Sequence, residues 1–230
     1  MDMRRSPASV LGELIKTSPL IDNLNFQELH KRYWKCISKE RKNRIKVYKY
    51  ENDKIRSIVA EMTLKNALLI KDFKIINGEI EFEQNQFGKL KLKNSKLKFN
   101  ISHSGDFVIV ASSDSEVGID IEEKKEYYPS ILIFFHEIER NFIQNHSNKI
   151  ELFYDYWCLK ESYIKYIGKG LYTSLDSYFV MKESDKYRAY INSTLLDLEF
   201  HFIYIDVRYS CAVCTKEKHV DKIEKIELFN

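Results

Sequence analysis

The sequence predicts an α+β protein, a pseudo-dimer of two similar halves, each a small antiparallel sheet packed with helices, with a site at their interface. Three observations predict it. Residues 25 to 70 carry helical periodicity, after which the chain breaks into short alternating strands from Phe73 to Ser112. The same order, helices and then antiparallel strands, returns between Pro129 and Cys214, although no residue-level repeat is visible. A polar break, Ser112 to Ser115, separates the two runs and divides the chain into an N-terminal half, 1–114, and a C-terminal half, 115–230.

Composition excludes several classes. With 230 residues, 44% of them hydrophobic, the chain is long enough to bury a sizeable core. Seven glycines and three prolines are too few for a disordered or linker-rich chain. The 37 basic and 34 acidic side chains leave a net charge of only +3, which by itself implies no nucleic acid or other polyanion as partner. The longest purely apolar run, Ile131 to Phe135, is too short to span a membrane, and no apolar signal core precedes Glu13. A soluble, cytoplasmic protein is expected. Its four cysteines form no disulfide framework. Cys211 and Cys214 match C-x-x-C but lie in an alternating strand run with no second pair, so they are read as structural.

In chain order, a short strand is expected near Val10 to Ile15, then two helices over Asn25–Ser38 and Lys39–Tyr50, the second strongly basic. A longer helix capped by Asn52 or Asp53 runs to Ile70, with Ile55, Ile58, Val59, Met62 and Leu69 facing inward. Arg56 and Ser57 stand in its first turn, where amide groups and the dipole favour an anion. Strands follow at Lys74–Ile76, Ile80–Glu83, Lys96–Ile101 and Phe107–Ser112. Asn77-Gly78 turns the first pair, and the loop Ser102-His103-Ser104-Gly105 joins the second.

The second half opens with a strand, Val117 to Glu122. A helix from Pro129 to Gln144 precedes a long one between Asn148 and Leu171, with Asn148 and Glu151 in a capping-box pattern and Gly168-Lys169-Gly170 at its end. Leu152, Tyr156, Leu159, Tyr163 and Ile167 form its core stripe, and Glu161 and Lys165 project from the other side, one turn apart. Strands return near Ser177–Met181, Tyr187–Ile191, Glu199–Val207 and Ser210–Cys214.

Chemistry concentrates in three places. Asp120 and Glu122 are two apart on a strand, so both carboxylates share a face and repel unless solvent or a cation neutralises them. Mg²⁺ suits such oxygens, and Glu161 supplies a third carboxylate if the long helix packs over that strand. Gly118 in the same strand marks the close approach of a ligand or another backbone. The Ser102–Gly105 loop suits phosphate oxygens, and equally an ordinary hairpin turn. The lysine run Lys89, Lys91, Lys93, Lys96 and Lys98 suits a solvated face, nucleic acid or a small polyphosphate.

Three blocks then resemble one family in order and rough spacing: Phe99-Asn100-Ile101-Ser102-His103-Ser104-Gly105, Val117-Gly118-Ile119-Asp120-Ile121-Glu122, and Trp157-Cys158-Leu159-Lys160-Glu161-Ser162-Tyr163-Ile164-Lys165 with Gly168-Lys169-Gly170-Leu171. They resemble the Sfp-type 4′-phosphopantetheinyl transferases, over about residues 37 to 214. The resemblance implies coenzyme A and Mg²⁺ at a site between two α+β halves, and transfer of phosphopantetheine to a serine of an apo acyl or peptidyl carrier protein with release of adenosine 3′,5′-bisphosphate. It implies a monomer with an internal pseudo-twofold. Asp120, Glu122 and Glu161 would hold the metal, and Lys165 would contact the phosphate under attack. Ser102 and His103 would lie at the coenzyme's phosphates, with Arg41, Arg44, Arg56 and Ser57 at the nucleotide end. Lys89 matches a Gly-Lys-Pro motif, with Leu90 in place of the proline. A Mg²⁺-polarised water, Glu161 or Glu139 would accept the serine proton.

Two rival readings use the same residues differently. A Mg²⁺-dependent phosphodiesterase would keep the acidic groups and use water as nucleophile. A basic nucleic-acid-binding module would bind with steep salt dependence and be indifferent to Asp120.

Overall fold

The computed structural model of the chain describes residues 11–16, 26–70, 80–126, 128–220 and 224–225. Strand β1 (Leu11–Lys16) precedes helices α1 (Phe26–Tyr33), α2 (Lys39–Val47) and α3 (Glu51–Ile70). Strands β2 (Phe82–Gln84) and β3 (Leu90–Leu92) pair as a ribbon, and β4 (Lys98–Ser104) and β5 (Phe107–Ser113) as a hairpin. The second lobe begins with β6 (Val117–Glu123), a 3₁₀ turn at Pro129–Phe134, and helices α4 (Glu137–Gln144) and α5 (Lys149–Ile167). Strands β7 (Phe179–Glu183), β8 (Lys186–Ile191), β9 (Thr194–Leu195), β10 (Glu199–Phe202) and β11 (Tyr209–Thr215) follow, then β12 (Glu224–Lys225).

The two lobes repeat one topology. In the first, β5 is flanked by β1 and β4; in the second, β11 is flanked by β6 and β10, and all four pairings are antiparallel. In each lobe, then, the opening strand is met by the closing one after the helices have been laid down. Among the described residues the one exception is β12, which runs parallel to β1 and so brings Glu224 and Lys225 to the first lobe's sheet.

Strands β5 and β11 are buried along their whole length, because both faces of each are covered. Alternation decides what each face meets. Val108 and Val110 of β5 join the cores under α3, whereas Phe107, Ile109 and Ala111 pack against Val117, Ile119 and Ile121 of β6 and Tyr209, Cys211 and Val213 of β11. Ala212 and Cys214 point the other way, into the core formed with α5. The layers therefore run helix, sheet, sheet, helix, and an apolar seam joins the two lobes.

Helix α5 has the ends its sequence predicts. Asn148 accepts the Glu151 amide at 3.3 Å, and Gly168 takes a left-handed φ of 67° while its N–H reaches Ile164 O at 2.9 Å. The capping box is only half formed, since the Glu151 carboxylate goes to Lys124 instead. A reciprocal box does form at α4, where His136 caps the helix and Glu139 accepts the His136 amide. That cap divides the expected Pro129–Gln144 helix into a 3₁₀ turn and α4.

Other expectations shift as well. Ser102 to Ser104 is strand rather than loop, and the turn falls at Gly105-Asp106. Leu69 is exposed rather than inward, whereas Ile55, Ile58 and Val59 are buried. The strand expected through Val207 ends at Phe202. The strand at Lys74–Ile76 and the Asn77-Gly78 turn lie outside the described residues. Cys158, Cys211 and Cys214 are buried and unpaired by disulfides, as structural cysteines are.

Candidate active site

Helix α5 lies directly on β6, and Gly118 is what lets it. A Cβ there would run into the backbone of α5 at Ser162 O and Tyr166 N and sit 2.9 Å from Tyr166 Cα. Because Asp120 and Glu122 share a strand face with Gly118, this packing sets them beside Glu161 and Lys165. The side of α5 that bears Glu161 is thus covered by a sheet instead of water.

Lys165 Nζ is 2.5 Å from Asp120 Oδ1 and 2.9 Å from Ser102 Oγ. Burial would pull this ammonium down, but Asp120 and Glu161 outweigh it and hold it above its ordinary value. Burial, with Asp120 alongside, pushes the Glu122 carboxyl up to about 7 and raises Glu161 too. Asp120 Oδ2 is buried and accepts no hydrogen bond. An orphaned carboxylate oxygen among repelling acids is the donor set a hard cation relieves. Among the described residues, however, no three ligand-type side chains converge tightly enough to form a metal cage. The three-carboxylate shell expected from the sequence is therefore not closed by protein alone. The arrangement suits an ion that takes part of its coordination from waters and substrate phosphates, as Mg²⁺ does.

Of these groups Glu161 and Lys165 line a cleft of about 430 Å³ between the lobes, whereas Asp120, Glu122 and Ser102 are not part of its lining. Arg41, Arg44, Lys89 and His103 line it from the first lobe, and Glu161, Lys165 and Gly168 from the second. His103 is open to the cleft, yet desolvation by the surrounding walls, with Lys165 and Arg56 nearby, keeps its imidazole below the ordinary value.

Other candidates are placed differently. Ser57 is buried and accepts from Arg41 Nη1 at 3.4 Å, and the Arg56 guanidinium holds Gly105 O through Nε and Nη2. Lys89 Nζ reaches Glu116 Oε2 and Tyr166 O, both at 3.0 Å, while Asn85 Nδ2 donates to Gly168 O at 2.8 Å. The loop before β3 is in this way a clamp on the carboxyl end of α5, where a cation is favoured. Glu139 is buried away from the cleft lining, and its carboxylate is taken up by Lys160 Nζ at 2.6 Å, Val180 N at 2.7 Å and His136 N at 3.2 Å.

Sequence reasoning missed Glu61. Fully buried in α3, it accepts from Ser38 N and Oγ at 2.6 and 2.8 Å and lies 3.5 Å from Arg41 Nε, so it aims Arg41 at the cleft. A charged letter between Ala60 and Met62 on the inward face of a helix was the available signal.

A model of the 4′-phosphopantetheinyl transferase superfamily matches residues 116–214, and one of the 4′-phosphopantetheinyl transferase N-terminal region matches 26–115. The chain is 32% identical over 182 residues to the 4′-phosphopantetheinyl transferase gsp of Aneurinibacillus migulanus, covering 78% of this chain and 76% of that protein. It is 30% identical to the 4′-phosphopantetheinyl transferase Sfp of Bacillus subtilis strain 168, covering 69% and 72%, and 30% identical to another 4′-phosphopantetheinyl transferase of Bacillus subtilis, covering 84% and 87%. The chain belongs to the 4′-phosphopantetheinyl transferase family, enzymes that move phosphopantetheine from coenzyme A to an apo carrier protein.

Proposed function

We propose that this transfer takes place in the interlobe cleft, with coenzyme A held chiefly by the first lobe and the reacting phosphate presented to the second. The observation that carries the assignment is the convergence of Arg41, Arg44 and His103 with Glu161 and Lys165 on one cavity. Anion-binding groups line one wall and an acid with an ammonium the other, which is what a pyrophosphate bridging them requires.

In the reaction a carrier serine hydroxyl attacks the coenzyme's β-phosphorus, the P–O bond to the nucleotide breaks, and adenosine 3′,5′-bisphosphate leaves. Arg41 and Arg44 hold the nucleotide end, with His103 at its 3′-phosphate. Lys165 sits where negative charge grows on the phosphoryl oxygens and stabilises it there. A bound Mg²⁺, held by Asp120, Glu122 and Glu161 together with phosphate oxygens, would supply further charge stabilisation. Glu161 lines the cleft beside Lys165 and is assigned as acceptor of the serine proton. Glu139 is left out of the chemistry, because its oxygens already hold Lys160 and two backbone amides.

Further proposals concern organisation. The division between lobes is put at 114/115; the change of sheet between β5 and β6, and two family models that meet at 115 and 116, support it. One chain supplies both walls of the cleft, which supports a monomer as the working unit. For the carrier we assign the exposed apolar side chains Ile133, Phe134, Ile138 and Phe142, which follow the acidic strand in the chain. No helix among the described residues is long and apolar enough to cross a membrane.

The test is incubation of the purified chain with coenzyme A, Mg²⁺ and a panel of apo carriers, scored by mass for a phosphopantetheine adduct. An adduct on the carrier serine is expected. Its absence from every carrier, with free coenzyme cleaved instead, would favour the phosphodiesterase reading.

A further inference from the structure

Strands β4 and β6 are edge strands of different sheets, with no backbone ladder between them. An exposed edge leaves its amides without partners. Here they are met by side chains. Ile119 N donates to Asn100 Oδ1 at 3.0 Å, Ile121 N to Ser102 Oγ at 3.3 Å, and Glu123 N to Ser104 Oγ at 3.0 Å. Donors and acceptors both advance by two residues with a constant offset of 19, so the contacts form a regular ladder.

The two serines do more than fill an edge. A hydroxyl has one proton to donate and can accept two bonds. Ser104 accepts the Glu123 amide and donates to Glu122 Oε2 at 2.9 Å. Ser102 accepts the Ile121 amide and Lys165 Nζ and donates to Asp120 Oδ1 at 2.9 Å. Each serine thus grips the backbone of β6 and, with the same oxygen, the carboxylate of the neighbouring residue.

We infer that Asn100, Ser102 and Ser104 are positioning residues, a side-chain ladder from the first lobe that fixes the register of β6 and the rotamers of Asp120 and Glu122. The pattern Asn-x-Ser-x-Ser is read as an interlobe pin. The catalytic consequence rests on the function proposed above; the ladder itself does not.

The experiment compares wild type, Ser104→Ala and Ser104→Thr by amide hydrogen exchange followed by NMR, and by transfer kinetics. Loss of one hydrogen bond raises exchange at Glu123 N about tenfold in Ser104→Ala while Ile119 N is unchanged, and Ser104→Thr restores the wild-type rate. In the same variant kcat falls about tenfold with KM for coenzyme A within about twofold, again restored by threonine. Unchanged exchange at Glu123, a uniform rise across the core, or failure of threonine to rescue would overturn the inference. Selective exchange in a chain that modifies no carrier would support the ladder and remove the catalytic reading.

Discussion

Lys165 Nζ and Asp120 Oδ1 stand 2.5 Å apart, one from a helix and the other from the strand beneath it. Each is the other's nearest opposite charge, and both contact Ser102. They act as a unit. Asp120→Ala and Lys165→Ala should each lower kcat/KM by at least about 100-fold. The double variant should fall little further than the worse single one. Kinetics on all three decide it, and simple multiplication of the two losses would separate the residues.

Glu139 and Lys160 form an ion pair from which water is excluded on both sides. Removing one partner leaves a buried charge uncompensated. Lys160→Met should therefore cost about 3–5 kcal/mol in denaturant unfolding. Glu139→Gln should lower the unfolding midpoint while kcat, measured where the variant is folded, stays close to wild type. A wild-type midpoint with activity abolished would return Glu139 to the chemistry.

Gly118→Ala should destabilise the chain by about 3 kcal/mol, since the added methyl has only backbone to displace. The same displacement would lift α5 off β6 and carry Lys165 away from Asp120. Urea melts and transfer assays on this variant should both show the defect. A stable, active Gly118→Ala would mean that helix and strand are not in contact as described.

The pH dependence of stability should carry a signature of His103. Its pKa in the folded chain lies below the unfolded value of 6.5. The folded state then binds fewer protons, so stability is fully present above the unfolded pKa and is lost as pH falls through 6.5 toward the folded value. His103→Asn should flatten the unfolding midpoint across roughly pH 5 to 7. An unaltered slope in that variant would locate the acid sensitivity elsewhere.

What the sequence made legible, and what it hid, divides along contact distance. Asn148 and Gly168 act on their own helix within a turn, and both ends of α5 could be read from those letters. The alternation Val117 to Glu122 placed Asp120 and Glu122 on one face because strand geometry is local. Ser102 to Ser104 was read as loop, since its partners are amides 19 residues away in the other lobe. The partner of Lys160 is Glu139, 21 residues upstream, and no local rule pairs them. Lys89 drew attention as a ligand group, but the backbone it clamps at Tyr166 comes from a segment 77 residues distant. Local rules found the elements and several cleft residues, and long-range pairing assigned their work.

The clamp from Asn85 and Lys89 onto Gly168 and Tyr166 has a consequence for how substrates come and go. The loop is pinned to the end of α5 and an apolar seam lies between the sheets, so the two lobes are tied together at separate places. A substrate entering from solvent therefore meets Lys89 of one lobe and Gly168 of the other on a single shared wall.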